Sequence, residues 1–252
     1  MMSKLSPTEL PMKLNETIDK LNIDHSINLI ANDQYRAIKA IEKQKNKIEM
    51  VILEILNQLN KFSDSRLIYC GAGTSGRIAV QDGVELYPTF GWAKERFEFI
   101  LAGGEKALTT SVENSEDAKE TAMHYLKKLE VSEKDVVIGV AASGNTPFTC
   151  QVLKEAYNMN ALTIGLTNNP NGDLIKYSKY YVFLDTGEEV ITGSTRLKAG
   201  TSQKICLNII SSIVMTQLGF VKDGLMINLV PSNKKLRKRK ITINKYLKNK
   251  NK

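Results

Sequence analysis

The chain has 252 residues, 42% hydrophobic and 25% charged, which suits one large α/β domain or a domain with an appendage. Its longest apolar runs, such as ICLNIISSIVM from residue 205, are too short and too polar to span a bilayer, and the N-terminus lacks an apolar signal core, so a cytoplasmic protein without membrane contact is expected. The net charge of +8 does not imply specific nucleic-acid binding: ten of the 35 Lys and Arg residues lie in the acid-free residues 234–252, and the other 25 face 27 acids.

Residues 26–60 carry apolar side chains at helical spacing and predict an N-terminal helical segment, assigned to residues 1–63. Five short apolar runs follow: RLIYC at 66–70, RFEFIL at 96–101, DVVIGVA at 135–141, ALTIGLT at 161–167 and KYYVFLD at 179–185. Most are separated by segments of helical pattern, which predicts parallel βαβ units in a doubly wound sheet. The nearly continuous apolar character of DVVIGVA and ALTIGLT suits strands covered on both faces. A long amphipathic stretch at 195–219 comes next, and the core domain is placed at 64–231. The basic residues 232–252 read as a solvated, frayed tail. Cys70, Cys150 and Cys206 are odd in number and lie in or beside apolar runs, as buried free thiols do. His25 and His124 have no ligand cluster around them, and no metal site is expected.

The most informative stretch is GAGTSGR at 71–77, a glycine turn directly after a predicted strand. It satisfies G-x-G-x-x-G, but the next strand ends in Ala102-Gly103-Gly104 instead of the acid that would hold a ribose. A P-loop would need Lys and Ser/Thr where Arg77 and Ile78 stand, and Ile78 cannot ligate magnesium. The remaining reading is a sugar-phosphate site: Gly73, Thr74, Ser75 and Gly76 offer backbone N–H groups and hydroxyls at a helix N-terminus. A second such turn, Ser143-Gly144-Asn145-Thr146, follows DVVIGVA. Loops at the carboxyl ends of parallel strands converge on one crevice, where two hydroxyl-rich turns can surround a phosphate dianion. Ser143 and Thr146 are equally suited to capping the helix that Pro147 begins.

The paired turns resemble the sugar isomerase (SIS) domain, an α-β-α sandwich with a five-stranded parallel sheet. The resemblance narrows through GAGTSGR, VELYPTFG, LAGG, VENSED, AASGNTP and GEEVITGSTRLKAGTSQK, which are similar to signature segments of the N-acetylmuramic acid 6-phosphate etherases in their order and spacing. That family cleaves the D-lactyl ether of N-acetylmuramic acid 6-phosphate to N-acetylglucosamine 6-phosphate and D-lactate in cell-wall sugar recycling, with no metal or nicotinamide. The resemblance implies that Glu85, in VELYPTFG, is the catalytic acid and that Glu116, in VENSED, is the second catalytic carboxyl, with Glu113 a near neighbour. The chemistry needs one protonated and one ionised carboxyl, a difference usually produced by partial burial and mutual repulsion.

By the same resemblance residues 192–204 close over the substrate, with Ser194, Thr195 and Lys198 contacting the sugar or the lactyl carboxylate; Ser194 or Thr195 would serve equally as a helix N-cap. An unbroken helix from Ser75 would carry Glu85 roughly 15 Å from the phosphate turn, farther than a hexose 6-phosphate reaches from phosphate to C3. A homodimer with a shared active site is therefore expected. The chain departs from the family pattern at Gly83-Val84 and Leu86-Tyr87 around the acid and at Pro11-Met12, where the family has Arg-Asn, and the family's C-terminal helical domain is not expected in it. Two rival readings use the same motifs: a noncatalytic phosphosugar-binding regulator similar to glucokinase regulatory protein, and a sugar-phosphate isomerase.

Overall fold

All five apolar runs form strands: β1 Leu67–Gly71, β2 Phe97–Leu101, β3 Val136–Ala141, β4 Leu162–Thr167 and β5 Tyr180–Phe183. They are drawn from a computed structural model that describes residues 6–13 and 16–250, with the backbone alone at residue 250. The ends of the two terminal segments, residues 1–5 and 251–252, lie outside the described residues, as do residues 14–15. The strands form one parallel sheet in the order β2-β1-β3-β4-β5. Every residue of β3 and β4 is buried, as their unbroken apolar sequence requires for strands covered on both faces.

Alternation along the strands divides the core. Leu67, Tyr69, Ile138, Val140, Ile164 and Leu166 face a layer made by α3 (Lys45–Lys61), α4 (Gly73–Val84) and α8 (Lys198–Gln217). Ile68, Cys70, Val137 and Ala141 face the opposite layer, α6 (Lys119–Lys128) and α7 (Pro147–Asn158). The result is an α-β-α sandwich. The crossover after β1 runs through α4 on one face and the crossover after β3 through α7 on the other, so the chain reverses its winding between two neighbouring strands. Such a switch point leaves a crevice at the carboxyl ends of the strands. Both hydroxyl-rich turns lie there.

The N-terminal helical stretch is three helices: α1 (Ile23–Asp33), α2 (Tyr35–Lys43) and α3. Helix α3 contributes Ile48, Val51, Ile52, Ile55 and Leu59 to the core, a 3–4 residue spacing that buries one face. The short α5 (Leu86–Phe90) ends at Gly91 in the left-handed conformation, and a two-residue hairpin, β6 (Val221–Lys222) with β7 (Leu225–Met226), follows α8. Where the sequence reading expected a frayed tail, Lys234–Lys250 form helix α9, whose Ile243 is buried. The three cysteines are free and buried, and burial pushes the Cys150 thiol up to about 11 and that of Cys206 up to about 12. No helix among the described residues is long and apolar enough to cross a membrane.

Candidate active site

The glycine turn has the geometry of an anion cradle. Helix α4 begins at Gly73, whose φ of +53° lies in the left-handed region that glycine adopts without strain. Gly76 permits close approach, because a Cβ there would overlap Leu101 Cδ1 and stand 2.8 Å from the Gly71 carbonyl carbon. The helix has Ala72 at its N-cap and no side-chain cap, so the first-turn N–H groups of Gly73, Thr74 and Ser75 are open to a ligand. Thr74 and Ser75 are half-buried beside them.

The second turn is built alike. Thr146 occupies the N-cap position of α7 without forming a side-chain cap bond, and Ser143 Oγ accepts from the Asn145 N–H at 3.1 Å. The capping role open to Ser143 and Thr146 in sequence is thus taken by neither, and α7 also presents an uncapped N-terminus. Gly144, at φ +67°, lies against Gly172, and Asn145 Oδ1 accepts from the Asp173 N–H at 2.9 Å, which pins the turn to the loop after β4.

Glu116 joins these turns. It lies on a single helical turn, Ser115–Asp117, that packs on α7, and its Oε1 is 3.0 Å from where a Cβ of Gly73 would stand. The carboxylate therefore reaches the mouth of the α4 turn. Arg77 braces the segment upstream of it, donating to the carbonyls of Ala107 at 2.7 Å and Thr110 at 3.2 Å.

Ser194 and Thr195 occupy a turn that is tied on both sides. Gly193 N–H donates to the Thr8 carbonyl at 3.1 Å, so the buried Thr8 near the N-terminus holds this turn. The Thr195 carbonyl accepts from Gly200 N–H at 2.9 Å, and Gly200 lies against Thr74. The turn is thereby carried to the side of the α4 cradle. Neither hydroxyl caps α8. That place is taken by Glu189, whose buried carboxylate accepts from the Ala199 N–H at 2.9 Å and the Lys198 N–H at 3.3 Å.

Lys198 corrects the sequence reading of it as a substrate contact. Its side chain is fully buried, and its Nζ donates to Asp33 Oδ2 at 2.6 Å and to the Glu188 carbonyl, with Glu189 Oε2 at 3.5 Å. Arg36 extends the cluster to Glu188 at 2.9 Å. This cation ties α1 to the start of α8.

Glu85 lies at the other end of α4, as its C-cap, and is exposed; Glu116 is exposed as well. Within one chain neither carboxyl has the partial burial expected of it. Twelve residues of helix separate Gly73 from Glu85, about 18 Å at 1.5 Å per residue. Glu85 instead lines a cleft of about 140 Å³ with Ile78, Gln81, Asp82, Lys204 and Asn208. Asp82 is buried and accepts from Asn208 Nδ2 at 2.5 Å, Ser211 Oγ at 3.1 Å and Tyr69 OH at 3.3 Å. Burial pushes its carboxyl up, against the lowering effect of those donors. Asp82 therefore locks α4 to β1 and α8 and supports the helix that bears Glu85. Sequence reasoning set Lys204 at the end of the closing segment without a contact of its own and passed over Asn208, although their i, i+4 spacing on a predicted helix placed them on one face.

Comparison with known proteins agrees with this architecture. The glucokinase regulatory protein N-terminal SIS domain model matches residues 47–157, and the SIS domain model matches residues 106–211. In fold, the chain resembles phosphoheptose isomerases from Francisella tularensis (TM-score 0.59, 17% identity, 78% of this chain and 100% of that one) and Neisseria gonorrhoeae (TM-score 0.59, 16% identity, 77% and 100%). Much nearer in sequence are N-acetylmuramic acid 6-phosphate etherases. That of Mycoplasma mycoides subsp. mycoides is 41% identical over 95% of this chain and 79% of its own length; that of Bacillus cereus is 41% identical over 94% and 79%. With such identity sustained from the N-terminal helices through α8, the chain belongs to the N-acetylmuramic acid 6-phosphate etherase family.

Proposed function

We propose that the protein cleaves the D-lactyl ether of N-acetylmuramic acid 6-phosphate in the cytoplasm, as a carbon–oxygen lyase, giving N-acetylglucosamine 6-phosphate and D-lactate. The observation that carries this reading is the Glu116 carboxylate at the mouth of an uncapped helix N-terminus, in a chain 41% identical to etherases. The turns at 73–76 and 143–146 bind the phosphate. Opening of the sugar ring exposes an aldehyde at C1, which acidifies the proton on C2. The Glu116 carboxylate removes that proton, the C2–C3 double bond forms, and the C3–O bond breaks as Glu85 gives its proton to the departing lactate oxygen. Glu85, now ionised, takes a proton from the water that adds at C3, Glu116 returns a proton to C2, and the ring recloses.

The 18 Å span of α4 separates Glu85 from the phosphate turn of its own chain. The reading therefore includes a homodimer in which Glu85 serves the phosphate held by the other subunit, an arrangement that would also cover both exposed carboxyls. Lactate release from N-acetylmuramic acid 6-phosphate tests the activity: binding without release would indicate a regulator, and aldose–ketose conversion without release an isomerase. Mixing tests the sharing. Ser75→Glu and Glu85→Gln proteins, each inactive alone, should after subunit exchange recover about a quarter of native activity, because half the dimers are mixed and each has one intact site. No recovery in demonstrably mixed dimers would show that each chain completes its own site.

A further inference from the structure

We infer that Lys204 binds the carboxylate of the D-lactyl group and so selects 3-O-lactyl sugars; the inference rests on the etherase reading above. The substrate's connectivity sets the requirement. The lactyl carboxylate is attached to the carbon that bears the ether oxygen, so the group that receives it has to lie beside the acid that protonates that oxygen. Glu85 shares its cleft with one cation, Lys204. Ile78, Gln81, Asp82 and Glu85 are spaced along one face of α4, and Lys204 and Asn208 along the facing side of α8, so whichever phosphate turn Glu85 serves, Lys204 accompanies it.

Lys204 is also held for the purpose. Asn208 gives its amide Nδ2 to the buried Asp82, which turns its Oδ1 outward, and that oxygen accepts from Lys204 Nζ. An ammonium has three N–H donors, and this contact uses one. None of the ion pairs among the described residues engages Lys204, whereas the side chain of Lys198 is buried among Asp33, Glu188 and Glu189. Asp82, the nearby acid, is buried and receives Tyr69, Asn208 and Ser211. An exposed cation, oriented by the half-buried Asn208 on the buried Asp82 and engaged in no ion pair among the described residues, fits a carboxylate ligand.

The test uses the full chain and its Lys204→Met and Lys204→Arg variants. In Lys204→Met the KM for N-acetylmuramic acid 6-phosphate should rise about 10- to 100-fold, the range for a charge-assisted hydrogen bond, with a smaller change in kcat. Inhibition by added D-lactate should weaken by a similar factor, and Lys204→Arg should restore most of both. A merely structural lysine would not change D-lactate inhibition selectively. If native protein releases lactate and Lys204→Met keeps KM and D-lactate inhibition within twofold of native, Lys204 is not the carboxylate site. If native protein releases none, the etherase reading fails, and this inference falls with it.

Discussion

Glu85→Gln should lower D-lactate release by about 10²–10⁴-fold, the contribution typical of a positioned general acid or base, while leaving phosphosugar binding near native. Glutamine has the same shape but no acidic proton, so the C3–O bond would have to break as an unprotonated alkoxide. Binding is spared because glutamine keeps the shape of the side chain and both phosphate turns, 73–76 and 143–146, are unchanged. The two carboxyls can be told apart by exchange. In deuterated water Glu85→Gln should still exchange the C2 proton, since the Glu116 step precedes the one it blocks. Glu116→Gln should lose exchange and release together. NMR at C2 and a lactate assay read both, and a Glu85→Gln protein within tenfold of native would remove Glu85 from the mechanism.

Lys198→Met should cost about 3–5 kcal/mol of stability in urea unfolding, because it leaves the buried Glu189 without its cation and Asp33 with only the more distant Arg36, at 3.7 Å. Methionine preserves the length and apolar stem of the side chain, so the loss reports the charge. The deficit should depend on pH with a definite sign. Burial already pushes the Glu189 carboxyl above its ordinary range, against the lowering effect of the Ala199 N–H and of Lys198. Removing the ammonium raises it further, so the folded variant binds a proton at a higher pH than the unfolded chain does. Its stability then increases as pH falls through that raised value, and the deficit should be smaller near about pH 5 than near about pH 8. A deficit below about 1 kcal/mol at neutral pH would mean that the ammonium is solvated. Any accompanying loss of activity would follow from the turn at 192–197, which the Lys198 cluster anchors to α1.

Much of this was legible because local chemistry and global fold coincide. A parallel strand covered on both faces has to be apolar throughout, so DVVIGVA and ALTIGLT announce β3 and β4. A turn whose backbone serves as ligand needs glycine and small hydroxyl residues, so the sequence marks 71–77 and 143–146 as one kind of loop. The family blocks also point to the fold and family that the comparisons show.

The strand–helix alternation, the glycine turns and the presence of Glu85 and Glu116 in recognisable segments could be read from the amino-acid order alone. The roles of the cations and of the second acid of that region came from packing. Lys198 and Lys204 lie six residues apart on α8, a rotation of about 240° at 3.6 residues per turn, so they face different neighbours. One side of α8 meets Asp33 and Glu189 and buries its lysine among carboxylates; another meets α4 and leaves its lysine beside Glu85. Asp82, three residues from Glu85, turns inward to Tyr69, Asn208 and Ser211. A linear pattern records which residue types are present and how they are spaced. Which of two like charges is desolvated depends on the elements packed against each, and α1 and α4 come from sequence positions more than a hundred residues away.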